Sequence, residues 1–86
     1  MDNILSAKKA IAERVKARRR EQKISQLKLA QFSQVSFGSI KRFETSGEIS
    51  LNSLLKIAFV LGCEKDFKEL FAKKTYSSIE EVINEQ

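Results

Sequence analysis

Eighty-six residues with 16 Lys/Arg against 11 Asp/Glu, a net charge of +5, allow one domain with one modest core. A deep catalytic pocket is hard to enclose in so short a chain. The absence of histidine removes the usual metal ligand and general base, and three scattered glycines make no phosphate-cradling loop. With no proline and few glycines, the chain reads as all-α.

The first predicted helix covers residues 4–22, with Ile11 and Val15 on its inner face. Lys23-Ile24-Ser25 interrupts it, and Ser25 can cap a second helix over 26–32 by accepting a free backbone N–H. Ser33-Gln34-Val35 forms a turn, and Ser36 caps a third helix over 37–45. Gly47 follows where a left-handed residue ends a helix. Ser50 caps a fourth helix over 51–61, whose inner residues read as Leu54, Leu55, Ala58 and Leu61, and Gly62 stops it. A fifth helix over 66–73 is expected to bury Phe67, Leu70 and Phe71. Ser77-x-x-Glu80 is a capping box ahead of Ile79, Val82 and Ile83, which predicts a short terminal helix. The expected division is therefore a domain over 1–74 and a tail over 75–86.

Charge is unevenly spread. Residues 1–47 hold 11 Lys/Arg and 4 Asp/Glu, and residues 48–86 hold 5 and 7. The basic half carries the first three helices, the footprint expected for a polyphosphate partner, although a solvated basic surface has the same composition. Cys63 is a lone cysteine, so no intrachain disulfide forms. The start, MDNILSAKKA, has no long apolar stretch, and no segment approaches the roughly 20 apolar residues of a membrane span. A reduced, cytoplasmic setting is the expectation.

The 19 residues from Gln26 to Glu44 hold the main signal. Leu29, Ala30, Val35, Ile40 and Phe43 fall at positions 4, 5, 10, 15 and 18 of that run, where two short helices joined by a turn need apolar or small residues. Ala30 is small where the helices cross. Ile40 and Phe43, three apart, share the inner face of the third helix, which turns Phe37, Gly38, Lys41 and Arg42 to other faces with Ser39 at the edge.

With these residues in place, the stretch from Ile11 to Leu70 resembles the lambda-repressor-like, or XRE-type (Cro/cI-like), helix-turn-helix domain. The matching pieces are Arg14-Val15-Lys16 with Arg19, Ser25-Gln26, Leu29-Ala30 and Val35-Ser36. Ile40, Phe43 and Glu44 follow, then Ser50-Leu51 and Leu54-Leu55-Lys56-Ile57-Ala58. The resemblance implies an all-α, five-helix DNA-binding domain with a short C-terminal helical tail. Its partner would be double-stranded DNA, with the third helix in the major groove.

By the same resemblance, base readers fall on Phe37, Gly38, Ser39 and Arg42, with Lys41 near the backbone. Arg42 suits a bidentate contact to guanine O6 and N7, or a phosphate. Phe37 would meet a thymine methyl or cover the second helix. Gly38 would let the helix approach closely. Gln26 would touch the DNA backbone and brace the third helix, and Ser36, Ser46 and Ser50 would lie near phosphates. Arg19 and Glu44 would form an ion pair tying the first helix to the end of the third. The chain departs from the family at Lys23 and Gln34, where glycine is frequent, and at Ser33, where a larger apolar residue is common.

Such modules usually work as symmetric dimers. Phe59, Val60, Ile79, Val82 and Ile83 are candidates for a homodimer interface; the alternative is a tail folded back on its own core. The expected role is a transcriptional regulator acting as a repressor. The alternative is an antitoxin-type regulator that also binds a partner toxin protein. No enzyme, cofactor, metal or small-molecule ligand is indicated. Membrane-surface binding through the first helix lacks a Trp or Phe anchor, and RNA reading lacks aromatic stacking platforms.

Overall fold

The computed structural model describes residues 3–74. The described residues form five helices, α1 (Ile4–Glu21), α2 (Gln26–Ser33), α3 (Phe37–Ser46), α4 (Leu51–Leu61) and α5 (Glu64–Lys68). The expected tail over 75–86, with Ile79, Val82 and Ile83, lies outside the described residues. No described helix is long and apolar enough to cross a membrane.

Side chains set the helix starts. Asn3, Ser25, Ser36 and Ser50 each accept a hydrogen bond from the backbone N–H three residues on, at 2.8–3.1 Å. Three helices end on left-handed residues, α2 at Gln34, α3 at Gly47 and α4 at Gly62. Lys23, between α1 and α2, is left-handed as well, with φ 58° against 61° at Gln34. These are the two positions where the resemblance implies glycine. A side chain in that region costs roughly 1–2 kcal/mol, a local strain the tertiary packing offsets.

The packing follows the apolar register. Leu29 and Ala30 of α2, Val35 of the turn, Ile40 of α3, and Ile57 and Leu61 of α4 form one buried cluster. Val15, Ile24, Ile49, Val60 and Cys63 close around it. α1 lies across α3 and also touches α4, α2 packs on α3 and α4, and α5 rests on α4. Phe43 is buried with Ala12 in the core. Gly47 allows the close approach of α1: a Cβ there would sit 2.7 Å from Lys8 Cβ and 2.9 Å from its carbonyl carbon. An exposed ion pair, Lys8 Nζ to Glu48 Oε2 at 2.6 Å, fastens the same junction.

Three expectations need correction. α5 is five residues long and ends at Lys68, not 73. Phe67 is half-buried, but Leu70 is 54% and Phe71 94% exposed. Phe71 is left-handed at φ 61°, so the backbone turns where the apolar spacing suggested more helix. In α1 the buried residues are Ala12 and Arg19; Val15 is half-buried and Ile11 is exposed. In α4 the centre of the buried face is Ile57, which is fully enclosed, while Leu54 and Leu55 are half-buried.

Ser33 shows how the turn tolerates a polar residue. Its buried hydroxyl donates to the Leu29 carbonyl at 2.6 Å and accepts from the Val35 N–H at 3.2 Å. Both of its polar functions are satisfied, so burial costs little.

Candidate nucleic-acid interface

α3 has two sharply different sides. Ile40, Phe43 and Glu44 are buried, and Phe37, Gly38, Ser39, Lys41 and Arg42 are exposed. The exposed residues form a continuous outward face over the first two turns. At Gly38 nothing lies within 4 Å of the position a Cβ would take. The fold itself therefore does not require glycine there, although glycine weakens a helix by roughly 0.5–1 kcal/mol. Phe37 stays partly exposed, and Lys41 one turn later holds its ammonium 5.3 Å from the ring centroid. The ring thus supports a cation on the outward face.

The inner side of α3 is locked by a polar network. Arg19 donates from Nε to Glu44 Oε2 at 2.8 Å and from Nη2 to Oε1 at 2.9 Å, a bidentate and nearly buried pair. Its Nη1 also donates to the Ile24 carbonyl at 2.8 Å. Gln26, the first residue of α2, donates to Glu44 Oε1 at 2.9 Å. One carboxylate thus joins α1, α2 and α3, and one guanidinium also holds the α1–α2 connection. Burial by itself would raise the Glu44 carboxyl. The hydrogen bonds from Arg19 and Gln26, with the charges of Arg19 and Lys16, outweigh it and hold the group below its ordinary value of 4.5. The cluster ties α3 to α1 and α2 at Glu44.

Beside the outward face lies a polar depression of about 320 Å³, lined by Ser39, Arg42, Glu48, Ile49, Ser50 and Ser53. It brings an arginine of α3 to the start of α4. The first N–H groups of a helix have no partner within it, so the α4 start offers donors to an anion. Ser50 uses its oxygen as acceptor for the Ser53 N–H, which leaves its own hydroxyl hydrogen available. Glu48 opposes an anion here, but its charge is matched by Lys8 on the far side.

The remaining predicted contacts divide by how their hydroxyls are used. Ser36 caps α3 and shares a hydrogen bond with Ser39 Oγ at 2.7 Å, so one hydroxyl hydrogen of that pair stays free. Ser46 donates to the Arg42 carbonyl at 2.7 Å and accepts from the Glu48 N–H at 3.1 Å. The Ser46 hydroxyl thus shapes the loop, and a phosphate there would compete with the Arg42 carbonyl for its one hydrogen. Gln26 gives one amide hydrogen to Glu44, which leaves its second amide hydrogen, alongside the first N–H groups of α2, as donors for an anion. Ser53 and Glu48 were not singled out from sequence. The Ser50-x-x-Ser53 spacing is the one trace of the depression they help to line. Of the basic run at the end of α1, Arg19 is buried, Arg18 pairs with Glu21 at 2.7 Å, and Arg20 is exposed.

A family model described as helix-turn-helix matches residues 15–68, well over half of the chain. The chain belongs to the lambda-repressor-like helix-turn-helix family. The matched span begins at Val15 in α1, includes the whole α2–α3 pair and ends with α5. The all-helical fold agrees with that membership. Helix-turn-helix domains of this family are DNA-binding regulatory modules, not typically enzymes, and the exposed α3 belongs to such a module here. No curated protein and no solved structure matches the chain.

Proposed function

We propose that this helix-turn-helix protein is a sequence-specific reader of double-stranded DNA that acts as a transcriptional repressor. The observation that carries the proposal is the outward face of α3, with Gly38 opening onto empty space between Phe37 and Arg42. A helix presented in this way fits the major groove, where base edges show distinct donor and acceptor patterns.

The roles follow from reach and chemistry. Arg42 has the planar fork that matches guanine O6 and N7. Ser39 supplies a short polar contact beside it, and Phe37 an apolar surface for a thymine methyl. Lys41, spread over the Phe37 ring, neutralises backbone phosphate. The α4 start, with Ser50, takes a phosphate on one flank, and the α2 start, with Gln26, takes one on the other. Ser36 sits between them at the start of α3. Repression follows if the occupied site overlaps a promoter, and a homodimer would double the number of bases read.

Selection of bound sites from a random duplex pool tests this directly. The expected result is one enriched motif recurring as two inverted half-sites about one helical turn apart. A pool that stays random after repeated rounds contradicts base reading. A single unpaired motif supports reading by a monomer and removes the dimer.

A further inference from the structure

On the side of the molecule formed by α1, α4 and α5 lies an apolar groove of about 430 Å³. Val15, Leu54, Leu61, Phe67 and Leu70 contribute its walls, with the exposed Ile11 at one side. Arg14 and Arg18 line the α1 rim, and Asp66 is the one acidic residue lining it among the described residues. The groove is separate from the outward face of α3, whose residues line the polar depression instead.

We propose that the chain's own segment 75–86 occupies this groove. The segment starts five residues after Leu70, itself a wall of the groove, so its local concentration there is high through the tether alone. Its sequence, TYSSIEEVINEQ, carries Ile79, Val82 and Ile83 at the i, i+3, i+4 spacing of one helical stripe, behind the Ser77–Glu80 capping box. It holds Glu80, Glu81 and Glu85 and no basic residue, which complements Arg14 on the rim, Arg18 beside it being paired with Glu21. On a helical wheel Glu80 and Glu85 flank the apolar stripe and Glu81 lies opposite it, so the acidic groups fall where a rim would meet them. Seated in this way, the tail covers Leu70 and Ile11, leaves α3 open and makes the groove unavailable to a second molecule.

The test is methyl NMR on the full chain, with light scattering to fix its mass. The expected result is through-space contacts from the Ile79, Val82 and Ile83 methyls to those of Val15, Leu54 and Leu70. These contacts should appear within one molecule and be lost in Ile83→Asp while the amide shifts of α2 and α3, which do not line the groove, stay in place. Leu70→Asp, at an exposed wall position, should lose them as well. Absence of the contacts in the unsubstituted chain overturns the proposal. So does their appearance only between differently labelled molecules, which would assign the groove to the tail of a second copy, or their survival in both variants. DNA affinity does not enter the readout, so the outcome is independent of the proposed function.

Discussion

Replacing Gly38 by alanine separates what the fold wants from what a DNA partner wants. In the free protein the added methyl meets no atom within 4 Å, and the position lies in the first turn of α3. Alanine there removes the backbone entropy penalty of glycine, a gain of roughly 0.5–1 kcal/mol. For a domain of this size that corresponds to a rise in Tm of about 2–8 °C. Against DNA the same methyl projects from the face between Phe37 and Arg42. If the helix backbone approaches base edges closely, the methyl pushes it outward and weakens the contacts of Ser39 and Arg42. Loss of one good bidentate base contact, about 1–3 kcal/mol, predicts an affinity reduced about 5- to 150-fold for the selected duplex. Thermal unfolding and fluorescence anisotropy at one fixed salt concentration measure the two effects. A variant that is more stable and binds equally well, or better, would refute the reasoning, because the glycine would then serve no approach. A variant that is less stable would show that the space around residue 38 is filled.

The polar lock behind α3 gives further expectations. Arg19→Ala strands the nearly buried Glu44 carboxylate and should destabilise the fold by about 3 kcal/mol. Arg18→Ala, at an exposed pair, should stay within about 0.5 kcal/mol in the same denaturant titration. Gln34→Gly relieves a left-handed side chain at the end of α2 and should raise stability by up to about 1 kcal/mol, read as a shift in urea midpoint at unchanged slope. Glu44 titrates below 4.5 in the folded chain. Its contribution is therefore complete above pH 4.5 and is lost as the pH falls through the folded value. Urea midpoints measured downward from pH 6 should fall on the acid side, and fall less in Glu44→Gln, which has no proton to gain there.

The α2–α3 unit was legible because five apolar positions over nineteen residues admit one register. Leu29, Ala30, Val35, Ile40 and Phe43 are all buried. Helix starts were legible where serine stood before an apolar run, at 25, 36 and 50, and each serine accepts the expected backbone N–H. The end of the domain was not. Phe67, Leu70 and Phe71 have helical spacing, but spacing does not show whether a surface exists to receive them. The chain turns at Phe71 before the stripe is used. Ile57 was passed over because its neighbours Leu54, Leu55 and Ala58 make an equally good stripe. Only the placement of α1 and α2 over α4 shows which side is inner.

At the site, the exposed residues of α3 follow from the position of its inner ones, so the outward face could be read from sequence. Of the connections between distant residues, the Arg19–Glu44 pair and the bracing of α3 by Gln26 were legible through the family resemblance, and the others were not. Lys8 meets Glu48 across 40 positions, and Gln22 donates to the Leu61 carbonyl across 39. No local pattern encodes such contacts. The loop bonds of the Ser46 hydroxyl are hidden for a related reason: they become visible once the backbone groups on either side are placed.

The central claim is that the outward side of α3 reads base edges. Its most direct test compares the sites selected from a random duplex pool by the unsubstituted chain, by Arg42→Ala and by Lys41→Ala. Arg42→Ala is expected to lose preference at one base pair per half-site, by about 1–3 kcal/mol, with the other positions retained. Lys41→Ala is expected to weaken all sequences evenly and to flatten the salt dependence by about one phosphate contact. An Arg42→Ala motif identical to that of the unsubstituted chain would contradict the account.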